Sequence, residues 1–174
     1  ELNLLTLKPS LWLDANEYNS TSGTWNDLSG NQNHAKRHAS PKPETHKNSG
    51  LQVVRYHSKS NDYHEFKEIK NIRTVFWVMS KTSGNSGSPL CHPNAHHFYS
   101  NGDKFWHPQH THEHIRKGSL RINGMEANAE SNYPNKLAVV SLRTTGNVIA
   151  SRMGRDRNHG GKYNWNGEIG EVLI

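Results

Sequence analysis

Val75-Phe76-Trp77-Val78-Met79 is β-branched or aromatic at four of five positions and stops at Ser80. Lys136-Leu137-Ala138-Val139-Val140-Ser141-Leu142 repeats the pattern at strand length. Gly, Ser, Asn or Pro bounds both runs, as strands ending in turns require. The two segments read as central strands buried on both faces, with Val75, Trp77, Val139 and Leu142 in the core.

Other apolar residues gather in the same way. Leu11-Trp12-Leu13, Leu51 to Tyr56 and Ile169 to Ile174 are short runs. Leu120, Ile122 and Met125, and Val148 and Ala150, alternate as strands with one wet face do. No segment sustains a 3.6-residue period beyond about two turns, so substantial helix is not expected. The class that follows is all-β, with antiparallel strands in two sheets packed face to face. Apolar residues are only 32% of the 174, so large polar loops must separate the strands. The longest, Asn16 to Gly50 and Gly84 to Lys117, are of a length that tends to be functional or mobile. The second holds seven of the thirteen histidines. No internal repeat or composition break divides residues 1–174, which read as one domain.

The formal charge of +6 raises the question of a polyanionic partner. The basic residues are scattered, however, and no nucleic-acid-binding motif accompanies them. The lone Cys91 excludes an intrachain disulfide and reads as a small buried apolar residue. No stretch approaches the ~20 apolar residues that span a bilayer. Glu1-Leu2-Asn3 does not begin a signal peptide, and the chain reads as a mature or excised piece of a larger protein.

Leu11-Trp12-Leu13-Asp14-Ala15, followed by Trp25-Asn26-Asp27-Leu28-Ser29-Gly30-Asn31-Gln32-Asn33-His34-Ala35, resembles the opening of the laminin-G-like modules of the concanavalin A-like lectin and glucanase superfamily. Ser60-Asn61-Asp62-Tyr63, Leu120-Arg121-Ile122-Asn123-Gly124 and the closing Asn164 to Ile174 are similar to later blocks, in order. The resemblance implies a jelly-roll sandwich in which Trp12 and Trp165 pack the sheets, with Gly30 and Gly167 at turns of positive φ. It also implies a helical tail beyond the closing strand, and a calcium ion at the rim as a candidate cofactor. Asp27, Asn31 and Asp62 are the candidate oxygen donors for such an ion, with Asp14 and Glu168 as further candidates, although no spacing here forms a dedicated calcium loop. The side chains of Asp27, Asn31 and Asn33 can equally hydrogen-bond neighbouring backbone amides and so clip a long loop.

Glucanases of this superfamily need two carboxylates on one strand face. Glu168 and Glu171 are three residues apart, and simple alternation puts them on opposite faces. The chain therefore reads as non-catalytic. His110, His112 and His114 lie at period two, which would aim three imidazoles one way if the backbone were extended. They sit among Pro, Gln and Thr with Cys91, His92, His96 and His97 nearby, and a solvated loop is the simpler expectation. Sugars need aromatic faces and planar polar groups. Tyr99, Trp106 and His107, with Arg152, Arg155 and Asn158, supply both and form the candidate ligand patch. The expected role is recognition of a glycan or protein at an extracellular or virion surface, beside neighbouring domains or subunits. The alternative is a structural decoration domain with no small ligand.

Overall fold

The computed structural model describes residues 4–58, 61–82, 84–94, 98–157 and 163–174. Among them lie a 3-10 turn, Leu4–Leu7, one four-residue helix, α1 (Glu113–Arg116), and eleven strands. In chain order the strands are β1 (Trp12–Asn19), β2 (Thr24–Asp27), β3 (Ala35–His38), β4 (Lys42–Thr45), β5 (Gln52–Tyr56), β6 (Tyr63–Lys81), β7 (Leu90–Cys91), β8 (Ser119–Ile122), β9 (Met125–Ala127), β10 (Ala138–Met153) and β11 (Gly167–Leu173). The all-β class and the antiparallel pairing agree with the sequence.

The division into two separate sheets does not. Hydrogen bonding runs β4-β5-β11-β1-β2-β3-β6-β10-β8-β9, and β11 pairs again with β6, closing the sheet into a barrel. The cause is the nineteen-residue β6. One of its edges pairs with β3 at Tyr63–Glu65 and with β11 at Phe76–Lys81, while β10 pairs with it at intervals from His64 to Met79. A strand of that length belongs to both walls, so the hydrogen-bond ladder never breaks. Closure also removes free edges that would otherwise invite association. The two strands at the ends of the path remain edges. β4 carries Pro43 and β9 is three residues long, both common ways to blunt an edge.

The first half of β6 is not legible as a strand because its burial repeats every three residues, at Phe66, Ile69, Ile72 and Val75. The pairing with β10 explains this rhythm. Ile72 faces Val148, Ile69 faces Ala150 and Glu65 faces Arg152, so β6 spends extra residues as bulges between pairs. The first interval holds one extra β6 residue and the second two, and these irregularities return the next apolar side chain to the core. A single apolar cluster results, centred on Trp25, Trp77, Trp106 and Trp165.

Three expectations need correction. Val75, Trp77 and Leu142 are buried as expected, but Val139 is 48% exposed because β10 alternates and has one wet face here. Trp12 packs on the outer face rather than in the core, where its neighbours Leu11 and Leu13 lie. Gly30 has the expected positive φ of 87°, but Gly167 does not. Gly167 is needed for space: a Cβ there would come within 2.3 Å of the Ser80 carbonyl oxygen.

Candidate functional site

The outer face of the wall formed by β1, β11, β6 and β10 carries a groove. Strand register sets its floor. Asp14, Glu171, Val78 and Val139 form one cross-strand row, and Trp12, Leu173, Phe76 and Ser141 form the next. Directly opposed residues share a face, so these side chains stand side by side. The first row is acidic toward β1 and apolar toward β6 and β10, and the second is largely apolar.

The apolar section, about 250 Å³, lies between Phe76, Val78 and Val139 and the leucines Leu4 and Leu7. It runs into a polar section of about 400 Å³ lined by Asp14, Asn16, Gln52, Gly170 and Glu171, the two sections sharing Val78 and Glu171. Trp12 Nε1 donates to Glu171 Oε1 at 2.6 Å. The amide and side-chain nitrogens of Asn16 donate to Asp14 Oδ1, both at 2.8 Å. Each carboxylate is thus oriented through one oxygen, while the other accepts no bond among the described residues. Two acceptors beside two amides suit a ligand rich in hydroxyl groups.

Glu168 and Glu171 share this face, which overturns the alternation argument. Glu168 faces Ser80 and Glu171 faces Val78, two residues apart on β6, so Gly170 is an unmatched bulge residue. An isolated Gly inside a strand pattern is the signal that could have disclosed it. The two carboxylates nonetheless differ in surroundings. Glu168 accepts from Arg55 Nη1 at 2.7 Å and Ser80 Oγ at 2.9 Å, and His46 Nε2 lies 3.3 Å away. It is an anchored ion-pair member with little exposure, whereas Glu171 opens onto the groove.

The patch expected from sequence divides into two groups. Tyr99 meets His107, His110 and Tyr163, with ring centroids 5.8, 6.1 and 5.8 Å away. Burial raises the Tyr99 phenol above its ordinary pKa, and burial together with His110 lowers that of His107. Trp106 is 2% exposed and belongs to the core against Phe98 and Phe105, so its ring offers no solvent face. Arg152 and Arg155 lie over Tyr63, 5.5 and 4.8 Å from its centroid, and Arg152 also bonds Glu65 at 3.0 and 3.1 Å. Asn158, like Ser60, His96 and His97, lies outside the described residues. Asp14, Asn16, Gln52 and Glu171 were not in the expected patch.

The candidate metal donors act as loop clips. Asp27 Oδ1 accepts from the amides of Trp12 and Ser29, and Oδ2 from the Ser29 hydroxyl and the Asn33 amide, all at 2.8–2.9 Å. Burial opposes its ionisation, but these bonds prevail and hold its carboxyl below the ordinary value. Asn31 donates to the Pro9 carbonyl at 2.9 Å, and Asp62 accepts from Ser40 and His57 amides at 2.8 and 3.2 Å. Asp27 and Asp62 therefore serve different turns. The histidine segment is not extended: His112 caps α1 and His114 lies within it. Its rings form pairs, His107 with His110 at 4.3 Å and His112 with His114 at 5.2 Å, not a trio. Among the described residues no group of three or more His, Cys, Asp or Glu is arranged to hold a metal ion.

Comparison with protein-family models, curated proteins and solved structures gives no match. No helix among the described residues is long and apolar enough to cross a membrane.

Proposed function

We propose that the chain is a non-catalytic recognition module that binds a glycan in the groove on the outer face of β1, β11 and β6. One observation carries this reading: Asp14 and Glu171 stand opposite each other at the polar end of a groove whose other end is apolar. A sugar presents the same two characters, hydroxyl edges and an apolar ring face. The motifs that resemble laminin-G-like modules, from Leu11 to Ala35 and from Asn164 to Ile174, support a surface setting for this recognition. Catalysis is not part of the reading, because Glu168 is bonded to Arg55 and Ser80, so that Glu168 and Glu171 do not both open onto the groove. A glycan array followed by titration of the best hit tests the proposal. Glu171→Gln and Asp14→Asn should each weaken binding about ten-fold, the cost of a charge-assisted hydrogen bond. Array silence, or unchanged affinity in both variants, would reject it.

A second reading has its own support. Phe76, Val139 and Leu7 are 40, 48 and 57% exposed around the apolar section, a surface suited to packing against a neighbouring chain in an exposed assembly. Ordered self-association that Val139→Asp abolishes, with array silence, favours this structural role.

A further inference from the structure

A second pocket lies at the end of β6, on different residues from the groove. Lys81, the last residue of β6, points inward, its side chain 1% exposed. Two loops are pinned over it. The Lys81 amide donates to the Pro134 carbonyl at 2.8 Å, and the Tyr133 amide donates to the Asp103 carbonyl at 2.8 Å. Between them is a cavity of about 310 Å³, lined by Lys81, Asp103, Asn132, Tyr133, Pro134 and Asn135. That size is at the low end for small-molecule pockets and suits one sugar ring rather than a chain.

The chemistry of the pocket is unbalanced toward donors. Lys81 Nζ and the Tyr133 hydroxyl, both on lining residues, are buried without a hydrogen-bond partner, as is Trp165 Nε1 behind them. They belong to one cluster: Lys81 Nζ is 6.0 and 5.9 Å from the Tyr133 and Trp165 ring centroids, and those centroids are 5.0 Å apart. The nearby acceptor is Asp103 Oδ1, 3.5 Å from Lys81 Nζ and already bonded to the Gly84 amide. Buried donors without a hydrogen bond are costly, and the Lys81 ammonium has only this long ion pair with Asp103 to offset its burial. Burial lowers the pKa of Lys81, and Asp103 only partly restores it. A ligand oxygen bearing negative charge would supply the missing acceptor. Asp103 at the mouth disfavours a bare anion but accepts from hydroxyl groups, and Asn132 and Asn135 can do either.

We propose that this pocket binds a small hydroxylated carboxylate of the uronic-acid type, its carboxylate on Lys81 and its hydroxyls on Asp103 and the two asparagines. The test is an NMR titration of the whole chain with glucuronate, glucose and acetate. Glucuronate should shift the amides of Asp103, Asn132 and Asn135, with glucose and acetate each binding about ten-fold more weakly. Lys81→Met should remove the preference for glucuronate over glucose. Asn135→Asp, at the exposed rim, should weaken glucuronate about five-fold by repulsion while leaving the fold intact. Absent shifts with glucuronate, equal affinity for glucose, or an undiminished preference in both variants would overturn the proposal. Asp14→Asn and Glu171→Gln should not affect this titration, so failure here and failure of the groove reading are separable.

Discussion

Glu168 and Glu171 stand on the same face of the barrel wall although three residues separate them, because β6 has no residue to match Gly170. The bulge sets one carboxylate against Arg55, Ser80 and His46 and the other at the groove. Two roles arise from one short segment.

Replacing each carboxylate should therefore have a different effect. Glu168→Gln leaves the partly buried Arg55 with only its longer, more exposed pair to Glu44 and should lower stability by about 1–3 kcal/mol in urea unfolding. Glu171→Gln should leave stability within about 0.5 kcal/mol. Neither the wild-type chain nor either variant should release reducing sugar from β-glucans; measurable turnover would end the non-catalytic reading.

Asp27 should matter mainly at neutral pH. Its folded pKa lies below the ordinary 3.8, so its stabilisation is complete above that value and is lost as pH falls through the folded pKa. Asp27→Ala strands the amides of Trp12, Ser29 and Asn33 and should cost about 1–3 kcal/mol. Unfolding curves for the variant and wild type should converge as the pH drops toward 2.

His64 should dominate acid sensitivity above that range. It is fully buried, with the Tyr56 hydroxyl 2.7 Å from Nδ1, and burial, then the charges of His38 and Arg37, push its pKa to about 3. Between 6.5 and about 3 the unfolded chain binds a proton that the folded chain refuses. Stability should fall with pH across that window by about 1.4 kcal/mol per unit, full stability lying above it. His64→Phe should flatten this slope, whatever it does to stability at neutral pH; an unchanged slope would contradict the assignment.

Cys91 should report unfolding. It is fully buried, and burial raises its thiol to about 12. The thiolate that reacts with disulfide reagents is therefore scarce as well as shielded. Labelling by a colourless aromatic disulfide should be slow in the folded chain and rapid in denaturant. Fast labelling of the folded chain would show that β7 opens.

The wet face of β10 gives a direct comparison. Val139→Thr, at an exposed position, should change stability by no more than about 0.5 kcal/mol, whereas Leu142→Ala should cost about 2–5 kcal/mol. Equal costs would mean that a second layer covers Val139.

Local chemistry made part of this protein legible in its sequence. Dense short runs with turn residues at their ends specify strands, so Val75, Trp77 and Leu142 could be placed in a core from their neighbours alone. Asp27 followed by Ser29 and Asn33 likewise carries a loop clip within seven residues, because those bonds are made between near neighbours in the chain. What tertiary structure decided is where bulges fall and which walls meet. Phe66, Ile69 and Ile72 carry a period of three that becomes a strand only against β10, and Gly170 becomes a bulge only against β6. Register is a property of two strands at once, and one extra residue reverses the face of everything beyond it. The groove between Asp14 and Glu171 depends on β1 and β11 meeting from opposite ends of the chain, and the Lys81 pocket on two distant loops. No spacing along the sequence encodes those distances, so both sites took form only when the barrel closed.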